Sequence, residues 1–310
     1  MSKIKRNGTK PQVLSAREAV EYIAYQDTVA VSGAGGGIVD PYALINALHE
    51  RYVETGCPKN LTLWHSTGLG DRNDRGMSPL ALEGLVKRVI GGHWGQSPRL
   101  AEMASENKIE AYNFPQGIMA QLARTAAAGQ PGILSHVGLG TFIDPRVSGG
   151  KLNEVTKEDL IKVMNVDGKE WLYYPVVPLD VCLIRATTAD TEGYASMEEE
   201  ITYIDVLQLA QAVHNNGGTV ILQVKRLVKA GTLHPKSVKI PGFLVDAIVV
   251  EEKQEQLYNG SDRFFSGDYI ADDSAVTMLP LDQRKVVARR ALMEVRPGYV
   301  GNVGVGIADG

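Results

Sequence analysis

The stretch VAVSGAGGGIVDP, residues 29–41, decides how the rest of this chain is read. It sets four glycines within five positions, Gly33 and Gly35 to Gly37, directly after a short β-branched run. A turn alone needs about one or two glycines. The extra ones strip side chains from the backbone, so that a ligand can touch the amide N–H groups. Nucleotide phosphate is the usual occupant of such a loop, and the spacing argues against it. A dinucleotide fingerprint, GxGxxG, starting from Gly33 and Gly35 requires glycine where Ile38 stands, and starting from Gly35 and Gly37 it requires glycine where Asp40 stands. A P-loop needs Lys-Ser/Thr after its glycines, and no lysine follows until Lys59. Amides bared at the start of a helix also suit a carboxylate or a developing oxyanion.

Outward from the loop, the pattern alternates between strand and helix. Asp27 leads into TVAVSG, and DPYALINALHERYVETG carries apolar residues at helical spacing and ends on Gly56, a C′ residue. KNLTLWHSTG is the next strand, so the unit is βαβ and the sheet is parallel. Ser15 and Glu18 form a capping box at the head of SAREAVEYI. KRVIGGHWG, QPGILSHVGLGTFIDP, VCLIRATTADTEG, GGTVILQVKRLV and DAIVVEE are further strands, with Gly or Asp near ends where open α/β sheets bind ligands. KLNEVTKEDLIKVMNVDGKEWLYY is an inserted excursion across one face. The fold class is α/β, an open and mostly parallel sheet with flanking helices.

Composition excludes several functions. With 310 residues, 44% hydrophobic and 22% charged, the chain can bury a large core and is not disordered. A net charge of −4 offers no footprint for nucleic acid or anionic lipid. No apolar run is long enough to span a bilayer, and the basic start MSKIKRNGTKPQ lacks a signal peptide's apolar core. The expectation is a soluble cytoplasmic protein. Cys57 and Cys182 are expected as buried thiols, and the six histidines show no metal-binding spacing.

The far end repeats the beginning. RKVVARRALMEVRPGYVGNVGVGIADG, 284–310, runs helix, turn, strand and glycine cluster, as AREAVEYIAYQDTVAVSGAGGGIVD does. The two are expected to open two related halves, the second truncated at its glycine turn or completed by another polypeptide.

Several stretches together resemble the family I coenzyme A-transferases, and more closely the bacterial acetate (short-chain acyl-CoA:acetate) and propionate CoA-transferases. They are VSGAGGGI, GLGDRNDRGMSPLALEGLVKRVIGGHWGQSP, ENKIEAYNFPQG, VGLGTFIDPR with GGKLNEVTKEDLI, QAVHNNGG, HPKSVKIPGFLVDAIVV and RKVVARRALMEV. The resemblance implies a fusion of α-like and β-like halves. The α-like domain would cover 1–275, and the linker with the beginning of an incomplete β-like domain would cover 276–310, its first helix starting near Leu281.

The resemblance further implies that CoA moves from an acyl-CoA to a small carboxylic acid such as acetate. A glutamate carboxylate attacks the thioester and gives a mixed anhydride. CoA thiolate then captures the glutamyl carbonyl as an enzyme thioester, and the acceptor acid reverses the steps. CoA is thus a substrate carried covalently, with no permanently bound cofactor and no metal. The family's nucleophile sits in the β-like half, past Gly310, so this chain alone is expected to be inactive and to need that half; the family also assembles as oligomers. Gly33, Gly35, Gly36 and Gly37 are the candidates for the oxyanion or substrate loop, against the plainer reading of a strand-to-helix turn without a ligand. Gln116 and Gly117, in FPQG, and Gly140 and Thr141, in GLGTFIDP, are the substrate-binding candidates.

Other residues are weighed against plainer roles. Glu106, in SEN, echoes the family's catalytic Ser-Glu-Asn but is followed by Lys108 after Asn107 and lies in a helical pattern, so it reads as solvated. Arg72 or Arg75 of GDRNDRG could reach CoA phosphates, although a solvated loop fits as well. Ala43 stands where two-subunit relatives carry an asparagine donor. Trp94 is expected in the core with His93 hydrogen-bonded beside it. A substrate-binding, non-catalytic α-like subunit is the alternative class, and a nucleotide-dependent oxidoreductase is opposed by the failed fingerprints.

Overall fold

A computed structural model of the chain describes residues 10–258, 260, 263–270, 272, 274, 278–301, 304, 306 and 307. The chain separates into two compact units, one ending at Gly267 and one beginning at Asp268.

In the first unit β1 (Gln12–Leu14) and α1 (Ala16–Val20) precede β2 (Thr28–Val31), α2 (Tyr42–Thr55) and β3 (Leu61–His65). Then come β4 (Val86–Gly91), α3 (Pro98–Ser105), β5 (Glu110–Asn113), α4 (Gln116–Ala127) and the strands β6 (Gly132–Ser135), β7 (Lys162–Val166) and β8 (Lys169–Pro175). The chain continues through β9 (Val181–Asp190), β10 (Ala195–Ser196), α5 (Val206–Asn215), β11 (Thr219–Val228), β12 (Val238–Ile240) and β13 (Ala247–Val250). The main sheet runs β1-β13-β11-β9-β2-β3-β4-β5, every neighbouring pair parallel, with β10 and β12 added antiparallel beyond β9.

Local signals explain the ends. The Ser15 side chain accepts from Glu18 N–H and Glu18 returns the bond, as the capping box requires. Gly56 closes α2 at φ +66°, a left-handed cap that suits glycine. Alternate residues of each strand feed opposite faces. Val29 and Val31 pack with α1, α2 and α3 through Val20, Leu48 and Leu100, whereas Ala30 joins Ile118 of α4 and Leu209 of α5. Helices therefore cover both faces, which is why the central strands read as apolar throughout.

Expectations about the first unit need correction. QPGILSHVGLGTFIDP does not join the main sheet: β6 pairs antiparallel with β8 in a separate sheet ordered β6-β8-β7, because the excursion supplies its partner. Cys57 is exposed, lying in the turn after α2, and only Cys182 is a buried thiol.

The second unit holds α6 (Gln283–Leu292), whose Asp282 side chain accepts from Lys285 N–H. None of its described residues is buried. The strand expected around 298–310 does not form at the described residues, and 302, 303, 305 and 308–310 lie outside them. Among the described residues no helix is long and apolar enough to cross a membrane.

Candidate functional site

The order of strands singles out one place. From β2 the chain builds outward through β3, β4 and β5, then returns to lay β9 on the other side of β2. Open α/β sheets bind ligands at the carboxyl ends of strands beside such a reversal. Residues 32–41, which follow β2, stand there.

The loop is held by its neighbours. Ala34 N–H donates to the Ile38 carbonyl at 2.8 Å, closing a small hairpin, and Gly36 N–H donates to the Gly70 carbonyl at 2.8 Å. Gly33, Gly36 and Gly37 have φ of +143°, +79° and +87°. The N–H groups of Gly33, Gly35 and Gly37 have no protein acceptor among the described residues. The premise that they cap a helix is corrected. The helix begins only at Tyr42, and its Ala43 N–H donates to the Gln223 side chain at 3.0 Å. Buried Val39, a β-branched residue, is held at φ +54°, a strained conformation of the kind found at functional sites.

The glycines also make room. A Cβ on Gly35 would stand 2.8 Å from the Gln96 side chain, and one on Gly37 would stand 2.9 Å from the Tyr258 ring. Gln96 equally needs Gly68, where a Cβ would approach it to 3.0 Å, and Gln116 needs Gly92, where the approach would be 2.9 Å. The ends of β2, β3 and β4 and the start of α4 therefore meet on one edge. Gln116 is exposed in the first turn of α4, where Met119 is the first residue whose N–H finds a carbonyl of that turn, that of Pro115. Gly117 beside it has open space.

The electrostatics beneath this edge are unusual. Asp40 is fully buried, and burial raises its carboxyl to about 6 despite the hydrogen bond from the Tyr258 hydroxyl. Asp205, at the head of α5, is raised to about 6 by burial as well, and it accepts the Ser66 hydroxyl at 2.5 Å. His65 is buried, which lowers it to about 4 and keeps it neutral, with Nδ1 2.5 Å from the Thr67 carbonyl. Arg185 and Glu200 form a fully buried ion pair at 3.0 Å.

The remaining candidates fall elsewhere. Gly140 and Thr141 lie in an exposed turn after β6; Gly140 N–H donates to Asp144 at 3.0 Å, and the Thr141 hydroxyl donates to the Gly138 carbonyl at 2.8 Å. Glu106 is exposed just past α3 and pairs with Lys108 at 2.9 Å. Asp71 accepts from Asn73 and Arg75 N–H, so it shapes its own loop. Arg72 is exposed, while Arg75 lies 4.9 Å over the Tyr258 ring and lines a cleft of about 380 Å³ with Tyr42, Asp74, Lys253 and Glu255. Trp94 is half-buried and donates to the Tyr112 carbonyl at 3.2 Å, whereas His93 is exposed and has no hydrogen bond among the described residues.

Sequence reasoning missed Gln96, Arg185, Gln223 and Tyr258. Arg185 did leave a signal, since a charge inside the apolar run VCLIRATT must be paired where that strand is buried.

This architecture is shared by a known class. The chain belongs to the coenzyme A transferase family, whose model matches residues 13–251. It is 61% identical to acetate CoA-transferase YdiF of Escherichia coli K12 over 98% of this chain and 57% of that protein. It is 41% identical to caffeate CoA-transferase of Acetobacterium woodii over 95% of this chain and 57% of that one. The crystal structure of acyl-CoA transferase YdiF from Escherichia coli O157:H7 superposes with a TM-score of 0.93 at 59% identity, covering 99% of this chain and 59% of that one. The chain thus spans little more than half the length of these relatives.

Proposed function

We propose that the protein transfers CoA between a short-chain acyl-CoA and a free carboxylic acid such as acetate, through a glutamyl-CoA thioester. The loop Gly33–Gly37 serves as oxyanion or carboxylate cradle. Its position at the reversal of the sheet, with three amides that have no acceptor among the described residues, is the observation that carries the reading. Gln116 and Gly117 flank the acyl group from the first turn of α4, and Gly140 with Thr141 forms at most an outer wall.

The attacking carboxylate comes from the β-like half; the α-like domain extends to about 275. Support comes from Glu200, Asp40 and Glu106 of this chain, which are poorly placed as nucleophiles. Both Glu200 oxygens are engaged, one by Arg185 and Gln254 and the other by Gln256. Asp40 is tied to Tyr258, and Glu106 stands in solvent beside Lys108. Once CoA thiolate has displaced the acyl carboxylate, the enzyme thioester carries CoA until the acceptor acid attacks. Each oxyanion donor is worth about 10²–10³ in kcat. The protein is expected to work as a homo-oligomer.

The test is borohydride inactivation of the full-length protein. Incubation with a short-chain acyl-CoA should make it sensitive to borohydride, and the reduced glutamyl residue should map outside residues 1–310. Modification at Glu106 or Glu200 would overturn the assignment of the nucleophile. Absence of any acyl-CoA-dependent transfer to acetate or another short acid would overturn the function.

A further inference from the structure

A ring of buried hydrogen bonds begins and ends on the joint between the glycine loop and α2. Arg185 Nη1 donates to the Asp40 carbonyl at 3.2 Å, and its Nε donates to Glu200 at 3.0 Å. Gln254 Nε2 donates to Glu200 at 2.9 Å, and Gln223 Nε2 donates to the Gln254 carbonyl oxygen at 2.8 Å. Gln223 Oε1 then accepts the Ala43 N–H at 3.0 Å. Only Pro41 and Tyr42 separate the two ends.

The ring is an expensive way to fill this space. Arg185, Glu200, Gln223 and Gln254 are at most 4% exposed, and Ile184, Leu222 and Val224 beside them on β9 and β11 are completely buried. Well-packed apolar side chains in place of a buried ion pair are often as stabilising or more so, because the pair must repay its desolvation. What an apolar core cannot do is fix both a carbonyl and an amide of the same short joint. Pro41, at the N-cap position of α2, provides no side-chain cap, so Gln223 does so from the sheet. The joint immediately follows strained Val39 and the glycines, and fixing it limits how far the loop can relax.

We propose that Arg185, Glu200, Gln223 and Gln254 are positioning residues, which hold the Asp40–Ala43 joint and through it the amides of Gly33, Gly35 and Gly37 in the geometry that transfer requires. The inference rests on the CoA-transfer reading above. The ring touches no reacting atom; it acts through the backbone of the loop.

The experiment uses the full-length protein with Glu200→Gln and Gln223→Met, read by kcat and KM for acyl-CoA, thermal midpoint and amide hydrogen exchange over residues 33–43. Glu200→Gln should lower kcat about 10–100-fold with KM within about twofold, because a small misplacement costs rate rather than binding. Exchange over 33–43 should quicken about tenfold or more while β9 and β11 stay protected. Gln223→Met is neutral and of similar volume, so it decides the matter on the same readouts if Glu200→Gln does not fold; its kcat should fall about 3–10-fold. Variants with lowered midpoints but unchanged kcat and unchanged loop exchange would show that the ring is merely structural. A wild-type protein without transfer activity would remove the functional reading and this proposal with it, whereas an active wild type with indifferent variants would remove the ring alone.

Discussion

Two glycine-rich turns of this chain look alike in sequence and differ in what they do with their amides. In the turn after β6, Gly140 N–H donates to the Asp144 carboxylate at 3.0 Å, and Thr141 N–H and hydroxyl both donate to the Gly138 carbonyl, at 3.1 and 2.8 Å. The turn serves itself. In the loop after β2, Gly36 alone of the four glycines donates to the protein, and the rest are bare among the described residues. Position in the sheet makes the difference, because β2 stands at the reversal and β6 in a small separate sheet. A glycine cluster is therefore read by which strand it follows and by where its N–H groups go.

The largest expected contrast lies between alanines in the two turns. Gly37→Ala adds a Cβ 2.9 Å from three atoms of the Tyr258 ring, at φ +87°. Left-handed strain and overpacking together should cost about 2–4 kcal/mol, and displacement of the loop should cost about 100-fold in kcat. Gly140→Ala, at φ +71° with open space around it, should cost about 1–2 kcal/mol of strain and leave kcat within about twofold. Urea unfolding and transfer rates measure both. Equal losses of kcat would break the contrast.

The two regions should also answer pH in opposite senses. Burial raises Asp40 and Asp205 to about 6, whereas an unfolded aspartate titrates near about 3.9. Between about pH 4 and about 6 the folded protein binds more protons than the unfolded chain, so stability falls as pH rises through this window and levels off above it. Each group contributes on the order of 3 kcal/mol. Asp40→Asn, which keeps an acceptor for the Tyr258 hydroxyl, should remove about half of that slope. Asp144 behaves in reverse. Its bonds from Arg146, then from Gly140 N–H, hold it well below the usual carboxylate range, and the stabilisation present above about pH 4 is lost on further acidification. Unfolding followed from pH 3 to 8 in wild type and Asp40→Asn separates the two trends.

The same contrast explains what was legible in the sequence. Strands β2, β3, β9, β11 and β13, the βαβ unit and the capping box were readable because local signals and burial agree there. The failed nucleotide fingerprints turned the reading of the bared loop towards a carboxylate or an oxyanion. β6 was misassigned because a strand-like run carries no information about its partner, and the hairpin β7–β8 that pairs with it comes 27 residues or more later in the chain. The Arg185–Glu200 pair brings together residues 15 apart, and Gln223 reaches Ala43 across 180 residues. No periodicity encodes such contacts. Gln116 was singled out through its resemblance to a family turn, and its approach to Gly92 depends on the ends of β4 and β5 lying side by side.

The smallest expected effect tests the self-serving turn at its weakest bond. The Thr141 hydroxyl donates to the Gly138 carbonyl at 2.8 Å and accepts Ile143 N–H at 3.2 Å, in a side chain open to solvent. Water can replace both bonds, so Thr141→Ala should cost only about 0.5–1 kcal/mol in urea unfolding. If the turn stands at the outer wall, KM for the acceptor acid should stay within about twofold, because the hydroxyl is already committed to its own backbone. A tenfold rise in that KM with unchanged stability would mean that the hydroxyl turns to the substrate when it binds. The turn would then belong with the loop after β2, and the distinction between spent and unspent amides would fail as a guide to the site.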